Sequence, residues 1–258
     1  MKNNYILLII LLIICIQFII KYNNKEGLTN YSYNVIFAGT VKNCEQYIKK
    51  NINNIDECGK LFNSYAVIIY ENDSTDNTRK ILNENKKNNY YYIFEDNVTE
   101  PRRTMRLSHG RNKIIEKMKE LNGYEYLIML DLDNINESGT FIKTIHTNFK
   151  HDNWNVLTGN QTTNYYDLWA LRQPGYMDYD CWKDTKPETK NIIENTHYDP
   201  NGLIPVISAF GGIAIYKISS INDCKYVGEY SDKTELCEHV EFNKCIGNVF
   251  INTEFYTS

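Results

Sequence analysis

The apolar positions of this chain fall in short unbroken runs, separated by stretches with helical spacing. "NVIFAG" (34–39), "YAVIIY" (65–70), "YYYIFE" (90–95) and "YLIML" (126–130) have little or no polar face, the pattern of strands covered on both sides. Between the first two, Cys44, Tyr47, Ile48 and Ile52 share one face of a helix predicted over 43–56. "STDNTRKILNENKK" (74–87) predicts a second helix with Ser74 or Thr75 as its N-cap. Ile114, Ile115, Met118 and Leu121 mark a third, running from Ser108 to the stop at Asn122-Gly123. This alternation predicts an α/β fold with a mixed, mostly parallel central sheet flanked by helices.

Beyond residue 137 the periodicity loosens. It predicts a helix over 138–149, a strand near "NVLTGN" (155–160) and an irregular aromatic and acidic stretch over 164–204. A strand over 206–217, interrupted by Gly211-Gly212, a short helix over 237–246 and a closing strand "NVFINTEF" follow. No repeat or linker divides the chain after residue 33, so 33–258 is expected to form one domain with halves 33–136 and 137–258.

The N-terminus has a different character. Residues 5–20, "YILLIILLIICIQFII", carry one polar side chain, Gln17, and no charge, between Lys2 and Lys21. The run exceeds the apolar core of a secretory signal, and no A-x-A-like cleavage site follows it. The expectation is a retained signal anchor over 1–22, forming an N-terminal transmembrane helix, and a short polar stem over 23–32. A cleaved signal and an interfacial or buried helix are the other readings. An anchor makes the protein a single-pass membrane protein of the secretory pathway or another cell membrane. The sequons at Asn30, Asn97, Asn136 and Asn160 would accept glycans in a lumenal body.

Charge and cysteines narrow the chemistry. With 28 basic and 32 acidic residues the net charge is -4, so no basic surface points to nucleic acid. Seven cysteines include no C-x-x-C pair, which argues against a zinc site. The six outside the N-terminal run could be thiols or form up to three bridges.

The run at 126–130 ends in "DLD". Strand alternation puts Asp131 and Asp133 on one side, with Leu132 pointing away. They sit where open α/β sheets bind ligands, beyond the carboxyl ends of the strands. Two hard oxygen donors suit Mg²⁺ or Mn²⁺ carrying a diphosphate. "ENDSTDNT" (71–78) follows the second strand, and "HGRN" (109–112) lies in the third helix. Asp73, Ser74 and Asp76 also suit a turn and helix cap that bonds backbone N–H groups, which is the expectation for Ser74 and Asp76.

Taken in this order, these motifs resemble glycosyltransferases of the GT-A fold, in particular family 2-like and capsule-mannosyltransferase-like groups. The resemblance covers roughly 34–160 and, more loosely, extends to 246. It implies a metal-dependent transfer of sugar from a nucleoside-diphosphate sugar to a hydroxyl of a glycan or glycoprotein. Residues 33–136 would be the nucleotide-sugar half and 137–258 the acceptor half. Gly39, Thr40, Glu71 and Asn72 would meet the base and ribose, and Arg106 and Arg111 the diphosphate. Asp131 and Asp133 would hold the Mn²⁺ or Mg²⁺ ion. Gly211 and Gly212 would lie near the donor sugar. Tyr166, Asp167, Trp169, Ala170 and Arg172 match an acceptor-side pattern, with Asp167, Trp169 and Arg172 as contacts. "CEHVEF" (237–242) matches the helix start that carries the base of inverting members, so Glu238 is the candidate base. The family more often has Glu-Asp where this chain has Glu238-His239, so His239 could be the base, a third metal ligand or neither. Two rival readings are a catalytically inactive, membrane-tethered glycan-binding protein on this fold and a D-x-D phosphotransferase. The second wants D-x-D-x-Thr/Val, and Ile135 stands where that residue would be.

Overall fold

The computed structural model describes residues 31–257. The anchor at 1–22, most of the stem, Cys15 and the sequon at Asn30 lie outside the described residues. Among the described residues no helix is long and apolar enough to cross a membrane.

The four apolar runs form strands β1 (Tyr31–Val41), β2 (Phe62–Asn72), β3 (Tyr90–Glu95) and β4 (Tyr126–Leu130). Between them lie helices α1 (Ile48–Gly59), α2 (Thr78–Glu84) and α3 (Arg103–Glu120). The second half adds α4 (Thr140–Thr144), β5 (Val156–Asn160), α5 (Pro187–Asn195), β6 (Leu203–Val206), β7 (Ile213–Lys217), α6 (Ile218–Ile221), α7 (His239–Ile246) and β8 (Val249–Tyr256). All eight strands form one sheet in the order β3-β2-β1-β4-β7-β5-β8-β6. The pairings β1–β2, β2–β3, β1–β4 and β5–β8 are parallel; β4–β7, β5–β7 and β6–β8 are antiparallel. The expected mixed, mostly parallel sheet is therefore present.

Alternation along β1 explains the layering. Ile36 and Ala38 point into one core, with Ile114, Ile115 and Met118 of α3. Val35 and Phe37 point into the other, with Ile48, Ile52 and Ile55 of α1 and Phe141 of α4. Strands covered on both faces have no polar side to show, which is why their sequence runs are unbroken. β1 begins three residues before the apolar run because Tyr31 and Tyr33 join Phe62, Tyr126 and Phe149 in an aromatic cluster, with centroids 4.7 Å apart for Tyr31–Phe149 and 5.0 Å for Tyr33–Tyr126.

Several boundaries differ from expectation. α1 starts at Ile48 rather than 43, since Asn43, Cys44 and Glu45 are tied to the loop after β2. Their backbone N–H groups donate to Ser74 Oγ, Thr78 Oγ1 and Asp76 Oδ2 at 3.0, 2.7 and 3.0 Å. In the same exchange Asp76 also accepts from the N–H of Thr78 at 2.9 Å, in the first turn of α2, whose N-cap position is Asn77 and not Ser74 or Thr75. The expected backbone-bonding roles of Ser74 and Asp76 thus hold. α3 begins at Arg103, five residues before Ser108. The helix expected at 138–149 is one short α-helix followed by a 3-10 stretch, Ile145–Lys150.

The expected strand over 206–217 is two strands. β6 pairs with β8 and β7 lies between β4 and β5, with Gly211-Gly212 in the loop joining them. Both glycines have positive φ, 64° and 81°. Cys224 and Cys245 form a disulfide, while Cys44, Cys58, Cys181 and Cys237 are free. Asn136 and Asn160 are fully buried, so the folded protein has no room for glycans at these two sequons.

Candidate active site

The strand order turns about β1: β2 and β3 lie to one side and β4 to the other. A doubly wound sheet opens a crevice at such a switch point, beyond the carboxyl ends of the strands. A cleft of about 360 Å³ lies there. Thr40 to Cys44 from the end of β1, Tyr70 and Asn72 from β2, and Asp131, Leu132 and Asp133 from β4 line it. Arg103, Arg106 and Leu107 of α3 close the other wall.

Of the sequence-derived candidates, Thr40, Asn72, Arg106, Asp131 and Asp133 line this cleft. Lys42, Asn43, Cys44 and Tyr70 line it too and were not singled out from the sequence, and Arg103, read there as equally suited to a phosphate contact or a solvated basic loop, joins them. Their signal was positional: Lys42 and Asn43 directly follow a strand end, and Arg103 is a basic residue in the first turn of a helix. The paired acids thus face two arginines and a lysine across a hollow, a charge pattern that suits a phosphate-bearing ligand.

The turn after β4 is rigidly built. The N–H of Asp131 donates to Gly212 O at 2.9 Å. The buried Asn136 amide donates to both Asp131 O and Gly212 O at 2.8 Å, joining Asp131 to the glycine turn. Asn51 of α1 donates to Asp133 O at 2.8 Å, and Asp133 Oδ1 accepts from the N–H of Ile135 at 3.1 Å. Asp131 meets Arg111 through Oδ1 at 3.2 Å and the hydroxyl of Tyr166 through Oδ2 at 3.3 Å. Burial pushes its carboxyl up to about 7; Arg111 opposes the rise, and the charges of Asp133 and Asp167 add to it.

Several sequence-based assignments change. Gly39 does permit close approach, but of β4: a Cβ there would lie 2.5 Å from Leu130 O and 2.9 Å from the Leu132 side chain. Glu71 does not face the cleft. It is fully buried, accepts the N–H of Ser74 at 2.9 Å and forms an ion pair with Arg79. It is an internal brace for the loop between β2 and α2. Glu71→Ala is expected to lower stability by about 1–3 kcal/mol, since it leaves the Ser74 N–H without its acceptor and removes the buried partner of Arg79, which keeps only Asp96 and the carbonyl of Glu95. Urea unfolding checks the loss, and an unchanged nucleotide affinity in the variant checks that Glu71 is not a ligand.

Arg111 is buried, not open to a diphosphate; it forms ion pairs with Asp131 and Glu238. Arg172 is likewise buried, and its guanidinium donates to the carbonyls of Trp169 and Leu171 at 3.0 and 2.6 Å, so it shapes its own loop rather than an acceptor surface.

Glu238 and His239 begin α7 close to the acids, but both are buried. The His239 ring stacks on Phe210 with centroids 3.9 Å apart and meets Tyr226 edge-on at 5.7 Å. Burial, reinforced by Arg111, holds His239 well below the usual histidine range, hence neutral. Among the described residues no group of three or more His, Cys, Asp and Glu side chains is placed to hold a metal ion. His239 is packed between Phe210 and Tyr226 and is not among the residues lining the cleft. Two carboxylates remain, and they fit Mg²⁺ or Mn²⁺, which takes one or two carboxylates and completes its shell with phosphate oxygens and water.

On the other side of the glycine turn, Asp167 accepts from the N–H of Gly211 at 3.2 Å. Burial raises its pKa. Tyr166 is exposed beside Gly212, where an added Cβ would come within 3.2 Å of its hydroxyl. Trp169 is partly buried and donates to Asp180 Oδ2 at 3.3 Å, whereas Trp182 is 58% exposed. Asp167 and Tyr166 thus join the acid pair and the glycine turn, while Trp169 and Arg172 belong to the supporting wall.

The family model for glycosyl transferase family 2 matches residues 40–224. The chain belongs to that family. Its sheet and helices are the GT-A-like arrangement expected from the sequence. None of the curated proteins matches this family 2 chain. Among solved structures it is similar to TarS from S. aureus, with 13% identity, 86% of this chain covered and a TM-score of 0.44. It spans 59% of that TarS chain. It is also similar to glucosyl-3-phosphoglycerate synthase from Mycobacterium tuberculosis in complex with phosphoglyceric acid, with 11% identity, coverage of 85% of this chain and 69% of that one, and a TM-score of 0.49. A third is the mannosyltransferase PcManGT from Pyrobaculum calidifontis in complex with GDP-Man and Mn²⁺, with 12% identity, coverage of 86% and 57%, and a TM-score of 0.46.

Proposed function

We propose that this family 2 chain is a metal-dependent glycosyltransferase that moves a sugar from a nucleoside-diphosphate sugar to a hydroxyl of a glycan or glycoprotein acceptor. The observation that carries the reading is the cleft at the switch point, where Asp131 and Asp133 face Lys42, Arg103 and Arg106. The nucleoside lies against Thr40, Tyr70 and Asn72. Arg103 and Arg106 take the diphosphate, and Asp131 and Asp133 would hold Mn²⁺ or Mg²⁺. When bound, that ion supplies Lewis-acid stabilisation of the departing diphosphate.

The chain's own residues do the rest. Gly211 and Gly212 are not among the residues lining the cleft: they are buried against Gly159, Ile135 and Tyr166, and the bonds of Asn136 and Asp167 fix the turn that carries Asp131. Tyr166 offers an exposed ring and hydroxyl at the edge where an acceptor would enter. The Cys224–Cys245 disulfide and the apolar run at 5–20 support a membrane-anchored enzyme of an oxidising compartment.

The test is incubation of the soluble body with a panel of sugar nucleotides and Mn²⁺, following released nucleoside diphosphate. Transfer or slow donor hydrolysis is expected; silence across the panel, with glycan binding intact, would favour the binding-protein reading. In the same assay Arg103→Ala and Arg106→Ala are each expected to raise the donor KM about tenfold or more, the scale of one charge-assisted hydrogen bond at about 1.5–3 kcal/mol. An unchanged KM in both variants would place the diphosphate elsewhere.

A further inference from the structure

We propose that Arg111 and Glu238 form a positioning pair that sets the Asp131 carboxylate, and that Glu238 is not the group that takes the acceptor proton. The inference rests on the donor-site reading of the cleft and assigns to these two residues a role different from the one their sequence context suggests.

Arg111 comes from α3, Glu238 immediately precedes α7, and Asp131 follows β4. The Arg111 and Glu238 side chains are 4% and 3% exposed. The guanidinium is in ion-pair contact with Glu238 and donates to Asp131 Oδ1 at 3.2 Å. Phe210 and Tyr226 flank it, 5.3 and 5.8 Å from the guanidinium carbon to the ring centroids.

A guanidinium this deeply enclosed needs a full counter-charge. Were Asp131 its only partner, the fork geometry would draw both carboxylate oxygens into one bidentate pair. Glu238 meets that requirement from the other side. Asp131 is then held through Oδ1 alone, and Oδ2 turns toward the exposed hydroxyl of Tyr166. The pair orients an acid that lines the cleft without capturing it.

The same geometry argues against Glu238 as base. A base must come within roughly 2.6–3.2 Å of the hydroxyl it deprotonates, or reach it through one water. Glu238 is enclosed behind Arg111 and is not among the residues that line the cleft. Asp167 is a half-buried carboxylate that accepts from the N–H of Gly211.

The experiment measures Mn²⁺ binding by calorimetry and, separately, nucleoside diphosphate release at saturating Mn²⁺. In Glu238→Gln, Arg111 falls back on Asp131. Mn²⁺ affinity is expected to drop at least about tenfold, with kcat reduced less than about tenfold at saturating ion and both limbs of the pH profile retained. The double variant Arg111→Met/Glu238→Gln removes both enclosed charges and is expected to return Mn²⁺ affinity to within about threefold of wild type. That rescue is something a purely structural role would not produce.

An unchanged affinity in Glu238→Gln, with kcat down a thousandfold and one limb of the pH profile gone, would establish Glu238 as the base and overturn the proposal. If the single variant does not fold, the double variant and Arg111→Lys decide it, because Arg111→Lys keeps the charge but loses the two-way fork. Weaker binding in Arg111→Lys with near-normal binding in the double variant supports the pair, and unchanged or equally weakened binding in both overturns it. A wild-type protein that takes up no Mn²⁺ overturns it as well. A wild-type protein that binds Mn²⁺ and releases no nucleoside diphosphate fails the transferase reading alone, since the binding comparison still stands.

Discussion

Asp133→Ala is expected to lower nucleoside diphosphate release by about a thousandfold or more while the protein stays folded. Removing one of two carboxylates that hold a divalent ion on a diphosphate forfeits several kcal/mol of leaving-group stabilisation, and about 4 kcal/mol corresponds to three decades of rate. The structural cost is small by comparison. Asp133 gives up one cap bond, to the N–H of Ile135, worth about 1 kcal/mol. Its backbone carbonyl keeps the bond from Asn51. Asp133 is a cleaner probe than Asp131, whose loss also removes a partner of Arg111. Thermal melting with and without Mn²⁺ separates the two effects: a near-normal Tm with no Mn²⁺-induced shift is expected. Full activity in this variant would sink the metal assignment.

Gly211→Ala is expected to cost about 3–5 kcal/mol of stability, a large share of the 5–15 kcal/mol that holds a typical domain. Two penalties combine. The residue sits at φ 64°, a conformation costing a side chain on the order of 1–3 kcal/mol. The added methyl would also lie 2.2 Å from Gly159 O, a backbone atom of β5 that cannot swing aside. Gly202→Ala separates the penalties. Its φ is 85°, but nothing lies within 4 Å of the new carbon, so about 1 kcal/mol is expected from strain alone. Urea unfolding of the two variants should show unequal midpoint shifts with similar m values. Equal shifts would mean that the packing of Gly211 on β5 contributes nothing.

The parts of this fold that could be read from sequence are those whose cause is local. Val35 to Ala38, Ala66 to Tyr70 and Leu127 to Leu130 are buried on both faces, so each strand announced itself as an apolar run, and the acids at the end of β4 followed from strand alternation. What could not be read was set by partners distant in sequence. The late start of α1 comes from an exchange of hydrogen bonds between 43–45 and 74–78. Residues 164–204 lack periodicity because their order comes from contacts such as the N–H of Tyr165 to Thr196 O and the Tyr179 hydroxyl with Thr189. Gly211-Gly212 looked like a break within one strand because the flanks are apolar, and nothing local says that β6 and β7 pair with different neighbours. Glu71, Arg111 and Arg172 were misplaced for a shared reason: a charged side chain that satisfies an internal partner has the same letter as one that meets a ligand. Only burial tells them apart.

β1 runs from Tyr31, at the aromatic cluster, to Val41, at the rim of the cleft. Eleven residues of strand cover about 33 Å. Whatever precedes Tyr31 therefore joins the body at the opposite edge of the sheet from the mouth. An attachment at that end, natural or engineered, would leave the entrance facing outward, and immobilising the protein there should not obstruct the arrival of a bulky acceptor.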